Sequence, residues 1–177
     1  MGELKAKGYN EAIIDFVKQG NPLMGICLGA QILMTQSEEF GNIAGLNLIQ
    51  GSVISLKQFD PHSKMIYRVP HVGWSKLVEP TVTEKDEMEY LNLKNELLPK
   101  RWKNSILENI SIGTEVYFAH SYKIVPEDRA QLVSVCFYGK QEVCAVVQNE
   151  NIIGCQFHPE KSGNFGMKIL IKFCGSW

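Results

Sequence analysis

A chain of 177 residues, 45% apolar and 21% charged, has enough material for one domain with a real core, and its net charge of −1 gives no electrostatic grip on nucleic acid or an anionic membrane. No apolar run approaches the length of a membrane span, and no signal peptide is visible. Five cysteines, an odd number without a Cys-x-x-Cys pair, argue against a disulfide framework and a zinc ribbon, and for a reducing cytoplasm.

Asn10 opens a predicted helix over residues 11–19, with Ile13, Ile14 and Val17 as its apolar stripe and Gly20 as its stop. Residues 23–26 are apolar on both faces and predict a buried, parallel strand. A helix over 28–36 follows, so the chain opens helix–strand–helix, the pattern of an open, doubly wound α/β sheet with flanking helices. Residues 46–56 predict one or two strands interrupted at Gly51. Residues 67–78, with Pro70 and Gly73, predict a loop. The polar stretch 79–101 predicts an insertion with helix around 87–98, and 104–109 a short helix. Strands are expected at 115–119, 131–137, 143–148 and 152–157, the last two joined by a turn at 149–151. Cys136, Cys144 and Cys155 lie in these runs and read as small buried hydrophobes. Ser162 is placed to cap a last helix ending near Phe173. No linker or repeat divides the chain, which reads as a single domain over 1–177.

Two clusters carry chemistry. Around Cys27, Gly25 and Gly29 stand two residues to either side, between a strand and a helix. This is the frame of a nucleophile elbow with sulfur in place of a hydroxyl. At a helix N-terminus the dipole favours thiolate. The second cluster is Gly154-Cys-Gln-Phe-His-Pro-Glu-Lys-Ser162, which places His158 and Glu160 just beyond a strand's carboxyl end, where α/β sheets bind ligands. The division of labour follows: Cys27 attacks a carbonyl carbon, His158 moves the proton, and Glu160 orients the imidazole. Either residue alone reads more simply as structural; their joint occurrence points to catalysis. The histidines lack metal-ligand spacing, so neither a metal nor another cofactor is expected.

The stretches Gly25-Ile-Cys-Leu-Gly-Ala-Gln31 and Gln156-Phe-His-Pro-Glu160 resemble the two signatures of class I, triad-type glutamine amidotransferases. Pro70-His-Val-Gly-Trp74, Tyr117-Phe-Ala-His-Ser-Tyr122 and His158-Pro-Glu-Lys-Ser162 are most similar to the glutaminase subunit of imidazole glycerol phosphate synthase. The resemblance implies hydrolysis of L-glutamine through a thioester on Cys27, with ammonia passed to a synthase (cyclase) subunit in a heterodimer. It also implies an oxyanion donor at the Leu28 amide and substrate contacts from Gln31, Ser121 and Tyr122. Trp74, Tyr117 and Lys161 fall where the family docks its partner, although Trp74 would suit a core as well. His71 and His120 read as structural, or as supports behind the site, rather than as catalytic.

Two departures shape the expectations. Family members carry a Pro-Gly-x-Gly loop before the elbow, whose amide is thought to complete the oxyanion hole. No such loop stands upstream of Cys27 here. The chain is therefore expected to lack the family's N-terminal strands and, alone, to be a poor glutaminase, since one missing oxyanion donor costs about 10²–10³ in rate. The stretch 79–101 is longer than usual and Ser75 stands where Asn is common. Both keep open a paralogue feeding ammonia to a sugar-modifying enzyme of surface-polysaccharide synthesis. The residue pattern also leaves room for a cysteine peptidase, and the departures for an inactive docking subunit.

Overall fold

The computed structural model describes residues 2–60, 64–81 and 102–175. Helices α1 (Gly2–Ala6) and α2 (Tyr9–Lys18) precede strand β1 (Leu23–Ile26). Helix α2 ends at Gly20, which takes the left-handed conformation (φ 84°), and turns Val17 and Ile13 toward the core.

Strand β1 pairs in parallel with β12 (Ile152–Cys155), as its two-sided apolar pattern predicts. Strands β11 (Gln141–Asn149) and β10 (Leu132–Tyr138) complete the sheet by antiparallel pairing, in the order β1-β12-β11-β10. The turn between β11 and β12 is the expected hairpin, with Glu150 left-handed at φ 52°. All three cysteines assigned to these strands are buried.

Helix α3 (Leu28–Ile32) is shorter than the apolar spacing predicts, and Met34–Ser37 form strand β2 instead. The reason is tertiary. The Ile32 carbonyl accepts from the Leu46 amide, and the Leu33 carbonyl from Leu48 and Ile49, so the acceptors a longer helix needs are already occupied. Strand β2 lies in a second sheet with β3 (Ile43–Ala44), β4 (Ile49–Ser55) and β9 (Tyr122–Pro126), in the order β3-β2-β4-β9. Strand β4 runs through Gly51 unbroken. Strands β5 (Phe59–Asp60) and β6 (Met65–Ile66) form a short hairpin.

The segment read as a loop contains strand β7 (His71–Lys76), paired antiparallel with β8 (Glu115–His120). Its inward positions carry His71, Gly73 and Ser75, so the two-residue alternation holds but is not hydrophobic. Beyond β7, Val78 and Val135 exchange two backbone hydrogen bonds, tying this ribbon to β10.

Residues 104–109 form successive turns rather than a helix. Asn104 and Asn109 are left-handed, and the amides of Ile106 and Leu107 bond to Gln148 Oε1 and Ser105 Oγ. The helix expected near 87–98 lies outside the described residues. Helix α4 (Gly163–Gly175) packs against β8. No helix among the described residues is long and apolar enough to cross a membrane. The architecture is mixed α/β with flanking helices, and its core gathers Phe118, Phe157, Leu77, Val135, Val146 and Ile153.

Candidate active site

Cys27 follows directly on β1, and pairing continues one residue past the strand, with its amide donating to the Cys155 carbonyl at 2.8 Å. Its backbone, at φ 50° and ψ −105°, is a conformation few non-glycine residues hold. It is the sharp turn required of an elbow, and it presents the thiol at the start of α3. The parallel register Ile26↔Cys155 puts the carboxyl ends of β1 and β12 on one rim. His158 lies three residues past β12 and so comes to the same rim.

A 3-10 turn over Pro159–Lys161 folds Glu160 back, and His158 Nδ1 lies 2.7 Å from Glu160 Oε1. A carboxylate can only accept, so Nδ1 carries the proton and the lone pair of a neutral ring is on Nε2. Ser162 does not cap α4 with its side chain. Its hydroxyl donates to the His158 carbonyl at 2.7 Å and accepts from the Tyr117 amide at 3.0 Å, while the His158 amide donates to the Tyr117 carbonyl at 2.8 Å. Two of these bonds fasten the His158–Glu160 turn to β8, and the third braces the turn itself.

The thiol itself donates to the Ala119 carbonyl at 3.8 Å and lies 4.0 Å from Gln156 Nε2. No hydrogen bond joins it to His158 among the described residues. The expectation of a dipole-favoured thiolate is also corrected. Burial pushes the thiol pKa above its ordinary value, with Glu160 and Glu39 adding to the rise, against the opposing Leu28 amide and Lys161. A helix of five residues offers too little dipole to reverse that.

A cavity of about 420 Å³ opens beside the thiol, lined by Cys27, Leu28, Gln31, Glu39, Pro70, Val72, Ala119, His120, Ser121 and Tyr122. Every residue assigned to substrate contact is in its wall. His158 and Glu160 are not. The structure adds Glu39, which sequence reading missed because nothing in its local pattern sets it apart. It comes from the turn after β2, brought over by the second sheet. Gln31 is buried and its Nε2 donates to the Tyr122 carbonyl at 3.0 Å and toward Gln156 Oε1 at 3.4 Å.

Trp74, Tyr117 and Lys161 meet on the outer face. The two rings are 5.8 Å apart, edge to face, and Lys161 Nζ sits 5.9 Å from the Tyr117 ring centre. Trp74 is 54% exposed and so lies outside the core. Among the described residues no three metal-ligating side chains converge.

His71 and His120 are buried, and burial brings both pKa values down to about 4, with the repulsion of His120 on His71 and of His158 on His120 contributing. The unfolded chain takes up these protons near pH 6.5, the folded one only near pH 4. Their stabilising effect is therefore complete above pH 6.5 and is lost as pH falls toward 4. We expect urea unfolding at pH 5 to show a loss of up to roughly 2 kcal/mol per histidine relative to pH 7. An unchanged midpoint between the two would contradict the buried neutral pair.

The family Glutamine amidotransferase class-I matches residues 2–176. Imidazole glycerol phosphate synthase subunit HisH 1 of Legionella pneumophila (strain Paris) is 35% identical over 98% of this chain and 73% of its own length. Subunit HisH of Geobacter sulfurreducens is 36% identical over 98% and 72%, and that of Geobacillus sp. 38% over 94% and 68%. Among solved structures, a glutamine amidotransferase from Thermotoga maritima superposes with a TM-score of 0.50 at 19% identity, covering 94% of this chain. A proposed GMP synthase component from Thermoplasma acidophilum gives 0.51 at 19% identity, also covering 94%. The chain spans about half (52%) of the first solved structure and 62% of the second, so these two bear on the fold alone. An elbow and a His–Glu pair on one rim, and relatives above 30% identity along nearly the whole sequence, lead to one assignment: the chain belongs to the class-I glutamine amidotransferases.

Proposed function

We propose that the protein is a glutaminase subunit that hydrolyses L-glutamine to glutamate and ammonia and passes the ammonia to a synthase subunit. The relatives' names favour imidazole glycerol phosphate synthase, hence histidine biosynthesis in the cytoplasm, over a sugar-modifying partner. The observation that carries the reading is the in-register parallel pairing of β1 with β12, which brings the elbow and the His158–Glu160 pair to a common rim.

Because the buried thiol holds its proton, a base must remove it. His158 Nε2, the ring nitrogen not tied to Glu160, takes the proton as Sγ attacks the carboxamide carbon. The Leu28 amide, which works against the rise in the thiol pKa and opens α3 beside Cys27, donates to the oxyanion. The imidazolium then protonates the departing nitrogen, releasing ammonia and leaving a glutamyl thioester. Water, deprotonated by His158, attacks the thioester carbonyl, and glutamate leaves as the thiol regains its proton. Glu160 holds the ring tautomer throughout. Gln31, Ser121 and Tyr122 hold the substrate, and Glu39 offers a counter-charge to its α-ammonium group. Trp74, Tyr117 and Lys161 form the docking face, where exposed aromatic side chains make good anchors.

A glutamine-mimicking diazo ketone, 6-diazo-5-oxo-L-norleucine, tests the reading. Cys174 is exposed and Cys27 only partly so, so simple accessibility favours Cys174. Selective labelling of Cys27, competed by L-glutamine, is the expected result. Equal labelling of both cysteines would instead support a docking subunit without turnover.

A further inference from the structure

The cavity wall continues inward as a line of hydrogen bonds that the proposed triad does not use. His71 and His120 stand opposite each other in the β7–β8 ladder and are 2% and 5% exposed. The direction of each bond can be worked out from the cavity end. The Tyr122 carbonyl can only accept, so His120 Nδ1 carries the proton in their 2.8 Å bond. A neutral His120 then presents Nε2 as acceptor, and His71 Nδ1–H fills it across 3.1 Å. That leaves His71 Nε2 to accept from the Ser75 hydroxyl at 3.0 Å. Each ring uses one donor and one acceptor, and neither needs a charge.

The surroundings hold this arrangement rigid. The His71 ring is stacked on Phe118 (centroids 4.8 Å, 17°) and on Tyr138 (4.2 Å, 22°). Residues four apart in a regular strand are about 13 Å from each other. The imidazole of His71 spans part of that distance along β7 to meet the Ser75 hydroxyl, and Gly73 between them has a φ of 145°, which suits glycine alone. Ionisable groups facing the pair include His158, Tyr138 stacked on His71 and, around the cavity, Cys27, Tyr122 and Glu39. No carboxylate is hydrogen-bonded to either ring among the described residues, and burial keeps both rings neutral.

At the cavity end the Tyr122 carbonyl also accepts from Gln31 Nε2, whose second proton points to Gln156 Oε1. Both amide protons of Gln31 are thereby engaged, which leaves its Oε1 as the acceptor available to an N–H donor in the cavity. We infer that Ser75, His71 and His120 form a one-way chain of neutral hydrogen bonds that fixes the Tyr122 carbonyl and, through it, the amide of Gln31, so that two histidines outside the triad set the affinity for glutamine. They are positioning residues, and the inference rests on the glutaminase reading.

Two variants separate this role from simple packing. His120→Asn keeps an N–H close to the Nδ1 position and can still serve the Tyr122 carbonyl. His120→Gln carries its amide out to the Nε2 position and cannot. Cys27 labelling by 6-diazo-5-oxo-L-norleucine is to be followed with reagent concentration. The half-saturating concentration should rise about tenfold or more in His120→Gln and by a smaller factor, about threefold, in His120→Asn, which keeps the Tyr122 bond but gives up the acceptor for His71 Nδ1–H. Equal shifts in the two variants, or a fall in limiting rate alone, would overturn the inference. Nitrogen-15 spectra of the unaltered protein decide it independently of whether the variants fold. Both rings should be Nδ1–H tautomers that do not titrate between pH 5.5 and 8, and an Nε2–H tautomer or an imidazolium in either would end the case. Failure of the reagent to label Cys27 in the unaltered protein would count against the glutaminase reading, with the spectra still judging the histidine chain.

Discussion

Cys27→Ala should lower glutamine hydrolysis by about 10⁴ or more while leaving glutamine binding close to intact. In the proposed reaction the sulfur of Cys27 forms the thioester, and no other cysteine lines the cavity: Cys136, Cys144 and Cys155 are buried within strands and Cys174 lies in α4. The cavity wall does not depend on it. Gln31 is held by Tyr122 and Gln156, and the thiol contributes only long contacts to the Ala119 carbonyl and Gln156. The loss should therefore fall on kcat and not on KM. His158→Ala should cost a similar factor, and the double variant little more than either alone, because residues acting as one unit lose their function once. Steady-state ammonia release, with glutamine affinity measured by calorimetry, checks this. Activity of Cys27→Ala within tenfold of the unaltered protein would remove Cys27 from the role of nucleophile.

Gly25→Ala should be a conservative change that damages both fold and site. A Cβ at residue 25 would lie 2.6 Å from the carbonyl carbon and oxygen of Gly29 and 2.7 Å from the Ala30 nitrogen. These are backbone atoms of α3, so no rotamer change relieves the clash and the helix must move off β1. Gly154, its register partner on β12, makes a useful control. There a Cβ would meet a Val147 methyl at 2.8 Å, a side chain that can turn aside. We expect Gly25→Ala to cost about 3 kcal/mol, a fall in Tm of roughly 6–12 °C, and Gly154→Ala distinctly less. Activity should fall by at least about 10² in Gly25→Ala even where it folds, since α3 carries the Leu28 amide and aims Cys27, and a shift of about 1 Å is costly. Thermal unfolding within about 2 °C of the unaltered protein would contradict the close-packing argument.

The class of fold and the residues proposed to react were legible along the chain. Gly25, Cys27 and Gly29 mark a strand, a sharp turn and a helix within a few residues. His158 and Glu160 are two apart, so their 2.7 Å contact is a local matter. The β11–β12 hairpin is equally local. In each case the informative residues are neighbours in sequence, and their spacing already limits what the backbone can do.

What required the tertiary structure is everything decided by partners far along the chain. Helix α3 stops at Ile32 because amides from residues 46, 48 and 49 take its last carbonyls. Strand β7 was hidden because its buried face holds two polar side chains whose partners, Ser75 apart, come from other strands. The Ser162 hydroxyl bonds to β8 and not to its own helix, and Glu39 reaches the cavity from a separate sheet. The thiol keeps its proton because surrounding atoms from several segments exclude water, an effect that no residue pattern carries. Sequence by itself determined which chemical groups are present and which local turns they sit on. Only the folded chain decided their hydrogen-bond partners, protonation and reach, because those depend on distances between segments that covalent order leaves open.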